Sequence, residues 1–459
     1  MSHSFVWRLT LEADAAFTAV NATADADTLD TVPGATLLGA AAAVDYPADH
    51  LAAWRRYHSG AVRFGCGLPL VGNEVTVPAP RCLYRRKDGA DAALHNAAAA
   101  APVSQPSPLK EGFLRPNLEV HTIVRRTSVR TAIDRASGRA KESQLHGLEL
   151  VPAGTTFAGR VSADDPAELA AVRQALAGGV VHLGRSRGAE LGRARLEIVE
   201  GVRWFAHGPP VEGRATFLCL SDLAVRGVDG GPGGMPASDA VGLPTGWAFD
   251  AERSSIRSRS YAPFNGHRRR PDLQRNVIRA GSVLVYRGAG IPDAVTVGRA
   301  LERGVGELRS EGLGDLWFNP PFLAGAVAKQ WKAPCLPAPA PRAVTEPPAL
   351  AAWLTAQAEI AGQRDERHQR AKHEAEHPAY RRVSSSQWGE LQLLAARWPD
   401  GGRLQAEVER ITSEGARRER WQYAKGPLLS YLKEAGPDAA TGLALLASLA
   451  PRVASREKK

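Results

Sequence analysis

The chain has 459 residues, enough for two or three domains with their own cores, and 58 Lys and Arg against 48 Asp and Glu give a formal net charge of +10 and a pI of about 9.6. That balance favours polyanionic partners such as nucleic acid. No uninterrupted apolar run of about 18 residues occurs, and MSHSFVWRLTLEAD opens on a strand pattern without a secretory layout, so a soluble, cytoplasmic protein with no membrane partner is expected.

Phe5 to Leu11 alternates as a first strand. After a polar, acidic loop, VPGATLLGAAAAV starts a helix with Pro33 and Gly34 at its entrance. Tyr57 to Pro69, YHSGAVRFGCGLP, sets Arg63 and Phe64 between glycines. An aromatic beside an arginine can stack on a nucleotide and clamp it, the alternative for Phe64 being a core position. Ala92 to Pro108, rich in Ala, Pro and Ser, reads as a surface loop or insertion. Val120 to Ile133 alternates as a strand carrying Arg125, Arg126 and Arg130, and a hairpin follows, with one strand ending at Asp134, a turn at Ser137 and Gly138, and a return through Leu145 to Leu150. Arg130, Arg135 and Arg139 are placed either to touch an RNA backbone or to be solvated hairpin charge.

Gly227 to Gly246 is a Gly/Pro-rich loop. Arg253 to Arg270, RSSIRSRSYAPFNGHRRR, interleaves Tyr261 and Phe264 with Arg257, Arg259, Arg268 and Arg269, a mixture suited to backbone charge contacts and base stacking, or to a solvated loop. Lys332 to Pro348 is proline-rich and reads as a stiff linker. From Ala349 the sequence turns helical, with Trp353 and Leu354, Leu391 to Trp398, Leu404, Val408 and Ile411, and Leu428 to Leu449 as its apolar positions. Its mixed-sign run Arg364 to His377 is an exposed helix.

One pattern occurs twice. HLGRSRGAELGRARLEIV from His182 and VGELRSEGLGDLWFN from Val305 match at Gly184 and Gly306, Arg187 and Arg309, Leu191 and Leu313, and Gly192 and Gly314. Each is preceded by a strand-like run and a helix-like run and followed by a strand, which makes two copies of one supersecondary unit. Glycines serve where backbone reaches positive φ or approaches a ligand closely, and Arg185, Ser186, Arg187 and Arg193 add phosphate donors to the first loop. In the second loop Arg309, Gly312 and Gly314 are the counterparts, but Glu307, Glu311 and Asp315 oppose a phosphate there, so that loop suits a protein neighbour as well as RNA.

The order PGATLLGAAA, SGAVRFGCGLP, RTAIDRASGRAKESQL, GTTFAG and a Gly/Arg-rich loop resembles the RAMP superfamily of CRISPR-associated proteins. ATFLCLSDLAVR, RNVIRAGSVLVYR and GVGELRSEGLGDLWFNPP extend the resemblance to the two-domain RAMP subunit of type III-D effector complexes, over residues 1 to about 325. Leu191, Leu313 and Asp315 depart from the family loops. The resemblance implies an α+β protein of two ferredoxin-like (RRM-like) domains with glycine-rich loops, at 1–200 and 201–331, a linker at 332–348 and a helical C-terminal extension at 349–459. It implies a non-catalytic subunit that caps the 5′ handle of the guide (CRISPR) RNA, meets target RNA indirectly, and assembles with RAMP backbone subunits and a large polymerase-like subunit. A protein-bridging subunit without RNA contact is the other non-enzymatic reading.

Chemistry has few candidates. His58, His121, His146, His182, His207 and His267 each lack a partner at a telling spacing for metal-independent RNA cleavage. Asp25, Asp27 and Asp30 precede the first helix, where family backbone subunits carry a catalytic aspartate, so Asp27 and Asp30 are the residues of an alternative ribonuclease reading. Cys66, Cys82, Cys219 and Cys335 include no C-x-x-C pair, and no metal, disulfide framework or cofactor is expected.

Overall fold

A computed structural model describes residues 3–17, 28–88, 93–102, 105–109, 111–133, 140–188, 190–227, 231, 234–262, 264–265, 270–271, 274–339, 349–399, 402–414 and 418–456. The chain divides into two compact units, 1–339 and 340–459. Among the described residues no helix is long and apolar enough to cross a membrane. Helix and antiparallel sheet are both present, so the α+β class expected from the sequence is met.

In the first unit, β1 (His3–Leu11) alternates by burial: Phe5, Trp7, Leu9 and Leu11 enter one apolar cluster while Val6 enters another. The first cluster is closed by α1 (Gly34–Val44), whose Leu37, Ala40 and Ala41 are buried. Next come α2 (His50–Tyr57), β2 (Val62–Phe64), β3 (Leu68–Val71) and β4 (Glu74–Val75). A long hairpin, β5 (Arg126–Ile133) and β6 (Ala140–Leu150), leads into β7 (Thr156–Ala163), α3 (Pro166–Leu176), β8 (Val180–His182) and β9 (Arg193–Val199). The expected hairpin turn at 134–139 lies outside the described residues. Asp165 caps α3 by accepting from the Ala167 N–H, and Pro166 occupies the first helical position, where its missing donor costs nothing. The sheet runs β8-β9-β1-β7-β3-β4, with β2 also on β7, and its central register sets Trp7 opposite both Gly159 and Ile198.

The second repeat is built alike. β10 (Arg214–Cys219), β11 (Ala248–Phe249), the hairpin β12 (Ser258–Tyr261) and β13 (Arg275–Ile278), β14 (Val283–Arg287), α4 (Ala294–Glu302) and β15 (Leu316–Phe318) give the sheet order β11-β14-β10-β15. β10 pairs antiparallel with β14 and β15, as β1 does with β7 and β9. In place of the helix α1 this copy has, among the described residues, a 3-10 turn, Asp239–Val241, inside the stretch expected to be a Gly/Pro-rich loop, and that turn buries Val241, with Leu243 and Trp247 close behind it.

The repeats share one body. Phe217, Cys219, Leu284 and Phe318 pack towards α4, while Leu218, Val283, Val285 and Trp317 point to the opposite face of the sheet. That face is covered by residues of the first repeat: Val77, Leu83, Leu94 and Leu114. Ala92–Pro108 is therefore not simply a surface loop. Asn96 is fully buried, and its amide donates to Leu323 O and Gly325 O at 2.9 Å each. The expected linker also begins as packed chain. Leu336 lies in a cluster with Val6 and Leu68, its N–H donates to Asn73 O at 2.8 Å, and the buried Arg8 guanidinium reaches Pro337 O.

In the helical unit, α5 (Ala349–Ala375), α6 (Ser385–Arg397), α7 (Gly402–Ser413), α8 (Arg418–Trp421), α9 (Lys425–Ala435) and α10 (Ala439–Arg456) enclose Tyr380, Trp388, Leu391, Leu404, Val408, Trp421, Leu428 and Leu443. Ser384 and Gln387 form a capping box at the start of α6. Trp388 and Trp421 meet edge to face at 5.4 Å. Trp353 and Leu354, expected among the apolar positions of the helices, are exposed.

Gly192 and Gly314 hold the same place in the two copies, with φ of 76° and 80° and an added Cβ 1.8 and 1.9 Å from the carbonyl oxygens of Leu183 and Val305. Gly192→Ala and Gly314→Ala should each cost about 2–4 kcal/mol of stability. Gly188→Ala, with nothing within 4 Å of the new methyl group, should stay within about 0.5 kcal/mol. Urea unfolding of the three variants checks this.

Candidate nucleic-acid interface

Both glycine loops close through one backbone network. At the end of β1 the Gly192 N–H donates to Asp14 O at 2.8 Å, the Leu183 N–H to Gly192 O at 2.8 Å and the Arg185 N–H to Ala16 O at 2.9 Å. At the end of β10 the Gly314 N–H donates to Asp222 O at 2.8 Å, the Val305 N–H to Gly314 O at 3.1 Å and the Glu307 N–H to Ala224 O at 2.9 Å. The side chains join in, since Asp14 and Asp222 accept from the Ala153 and Ala280 N–H groups at 2.8 and 2.9 Å. Even the strained position recurs: Ser186 and Leu308 sit at φ 56° and 55°.

The first loop turns its middle outward. Arg185, Ser186 and Arg187 are exposed, while Leu191 is buried with Ala16, Leu148 and Leu150 against the base of the β5–β6 hairpin. Loop and hairpin thus form one surface. Arg193 is less available, because its Nε and that of Arg195 donate to the Glu12 carboxylate at 2.9 and 3.1 Å. Those hydrogen bonds, led by that from Arg193, hold the Glu12 carboxyl below its ordinary range. On the hairpin, Arg125 donates to Asp30 at 2.9 Å and Glu149 at 2.7 Å, and Arg130 stands opposite His146 in the register. Arg135 and Arg139 lie outside the described residues.

The second loop faces inward. Gly312 and Gly314 are buried, and a Cβ at Gly312 would stand 2.1 Å from Phe64 O. A Cβ at Gly34 would meet Phe64 O at 1.8 Å and Glu311 O at 2.4 Å, so loop, helix start and β2 interlock. Arg160 reaches Asp315 at 3.7 Å, Arg226 pairs with Glu307 at 2.5 Å, and Arg309 lies against Gly60 with its guanidinium on Arg303 O. Of this loop's expected RNA residues, Gly306 alone is exposed. Through Gly312 and Asp315 this loop packs on the first repeat of the same chain.

Three further expectations are corrected by burial and pairing. Phe64 is fully buried and stacks on Tyr57 at 6.1 Å, so its ring offers no face to a base. Arg63 is buried beside it, held by Ser162, Gly60 O and, at 2.9 Å, Asp164. Arg259 binds Asp222 at 2.5 Å and sits 5.5 Å over the Tyr261 ring, whose hydroxyl donates to Glu311 at 2.8 Å. Burial pushes that hydroxyl well above its ordinary pKa. Arg257 is exposed, and Arg268 and Arg269 lie outside the described residues.

Asp25 and Asp27 are also outside them, and Asp30 is engaged by Arg125. Burial lowers the His121 and His207 pKa values, and His58 meets the Tyr46 hydroxyl at 3.1 Å. The side chains of His146 and His267 are not described.

Cys66, on the joint, has its thiol pushed up to about 12 by burial, with Gly312 O 3.8 Å away. At neutral pH it is a thiol, not a nucleophilic thiolate. Brief iodoacetamide treatment of the native chain should therefore label the exposed Cys335 and spare Cys66, Cys82 and Cys219, a pattern read by peptide mass spectrometry.

No protein-family model matches the chain, and no curated protein matches it. Among solved structures it is similar to a chain of the Type III-B Cmr-beta bound to cognate target RNA, with a TM-score of 0.38 and 13% identity over 61% of this chain and 86% of that one. It is also similar to CRISPR associated protein Cas6, with a TM-score of 0.29 and 11% identity over 68% of this chain and 98% of that one. A chain of the Type III-B Cmr-beta in its apo state follows at a TM-score of 0.26 and 12% identity, over 43% and 98%. All three scores lie below 0.5, a likeness that by itself carries no function.

Proposed function

We propose that the chain is a RAMP-type, guide-RNA-binding subunit of a type III CRISPR interference complex, of the III-D kind, that caps the 5′ handle end of the guide without cleaving RNA. In this reading 1–200 and 201–331 are two ferredoxin-like domains. The strand order last-first-third-second in each sheet, with a helix after the third strand in both copies and after the first strand in copy one, supports that fold. The helical residues 349–459 and the hairpins are then surfaces for RAMP backbone subunits and the large polymerase-like subunit, and target RNA is met only through the guide.

The observation that carries the reading is the asymmetry of two loops with one backbone. The first presents Arg185 and Arg187 to solvent beside a hairpin, as phosphate binding requires. The second presents acids and is occupied by the first repeat. One open and one closed loop suit a subunit that ends a filament. Handle recognition then uses phosphates and backbone shape, while target sequence is left to base pairing by the guide.

Fluorescence anisotropy with a handle-bearing guide RNA and a scrambled RNA tests this. Arg185→Ala with Arg187→Ala should lower handle affinity about tenfold and erase the preference, the loss of two charge-assisted contacts. Arg193→Ala should change it less than about threefold, since Glu12 already engages that guanidinium. Equal, weak binding of both RNAs by the unaltered chain would contradict the reading.

A further inference from the structure

β10 and β14 pair in a register that sets Arg214 directly opposite Arg287, Thr216 opposite Val285 and Leu218 opposite Val283. Side chains at alternate positions share a face, so the two arginines form the last rung of the face that Leu218, Val283 and Val285 turn to the first repeat. Opposite residues of an antiparallel pair stand about 4.5–5.5 Å apart at Cβ, and like charges there oppose folding. The shared fold does not require them. At the corresponding end of the first sheet, β1 and β7 pair His3 with Ala163 and Ser4 with Ser162.

A third arginine joins the rung. Arg253 follows β11, and its N–H donates to the Asp250 carboxylate at 3.1 Å. The other oxygen of that carboxylate takes Arg287 at 2.5 Å, with 13% of the Asp250 side chain exposed. Arg214 is half-buried and donates to the neutral carbonyl of Ala324 at 2.7 Å. Burial, and then the charges of Arg287 and Arg253, lower the Arg214 pKa. Among the described residues the Arg253 guanidinium forms no ion pair, and the exposed chain neighbours Glu212 and Glu252 pair with none of the three arginines. One carboxylate therefore answers three guanidiniums.

Resting on the guide-RNA reading, we propose that this end of the second sheet is a phosphate site, one backbone phosphate of single-stranded RNA lying among Arg214, Arg253 and Arg287. The anion turns a repulsive rung into a cradle of charge-assisted hydrogen bonds. Arg287, with 60% of its side chain exposed, marks the open side from which RNA enters. The site lies at the start of β10, the far end of that strand from the closed glycine loop, so the second repeat takes RNA at a place other than its loop. A phosphate of the RNA backbone and free inorganic phosphate present the same chemistry, and they are separated by experiment.

The full chain is titrated with a labelled single-stranded guide RNA across a salt series, and separately with inorganic phosphate by calorimetry, as the unaltered protein, as Arg253→Ala, as Arg253→Lys and as Arg185→Ala with Arg187→Ala. Arg253 bonds to Asp250 through its backbone N–H, which every variant keeps, so the circular dichroism of the Arg253 variants should match that of the unaltered chain. Arg253→Ala should weaken RNA binding several-fold and make the log–log salt dependence shallower by about 0.7, the value for one single-strand phosphate contact. Arg253→Lys keeps the charge and should keep the slope, and a slope as shallow as that of Arg253→Ala would overturn the site. RNA binding weakened by the loop variant but unmoved in affinity and slope by Arg253→Ala would also overturn it and leave the guide-RNA reading intact. No RNA binding by the unaltered protein, with phosphate bound and lost in Arg253→Ala, would support the site, name free phosphate as its source and sink the guide-RNA reading. Binding of neither ligand would overturn both.

Discussion

At the end of the first strand of each repeat, one aspartate does two jobs. Its backbone carbonyl takes the N–H of the loop's last glycine, and its carboxylate takes an N–H from the turn that follows the hairpin. Asp14 and Asp222 thereby pin glycine loop, hairpin and sheet to a single point in each copy. A methyl group on Gly192 or Gly314 would collide with a carbonyl, and the left-handed φ would add strain, so the network admits only glycine there. The neighbouring loop residues are then held in a fixed pose whatever their side chains are. This is how one backbone can serve two purposes.

The purposes diverge through side chains alone. Where the first loop has Arg185 and Arg187, the second has Glu307 and Arg309, and the latter pair is turned to Arg226 and to Gly60. Close approach of Gly34, Phe64 and Gly312 locks the second loop into the first repeat. Among the described residues the first loop has no such cover, and Arg185 to Arg187 are exposed beside its hairpin. In the proposed assembly the closed loop keeps the two repeats in register while the open one holds RNA.

Much of the fold was legible because periodicity and glycine spacing are local. The strand from Phe5, the helix from Pro33 and its neighbours, the helix from Pro166 and the matched glycines all lie where spacing placed them. What was not legible is pairing over distance. Arg259 and Asp222 are 37 residues apart, and Tyr261 and Glu311 are 50 apart, so an arginine-aromatic run that suits RNA in isolation turns out to brace a joint. Phe64 and Arg63 were misplaced for the same reason, since Phe64 enters a core cluster with Phe157 and Val161, and Arg63 meets Ser162, 99 residues later, and Asp164. Ala92–Pro108 shows the converse error: small residues and proline suggested a solvent loop, yet Asn96 anchors it in the second repeat's core through two carbonyls.

Hydrogen–deuterium exchange of the full chain, with and without handle-bearing guide RNA, would separate the open loop from the closed one in a single experiment. The account predicts new protection at 184–188 and along the β5–β6 hairpin on RNA binding, with 306–314 already slow and unchanged. Protection gained at 306–314, with 184–188 exchanging as fast as in the free protein, would contradict it.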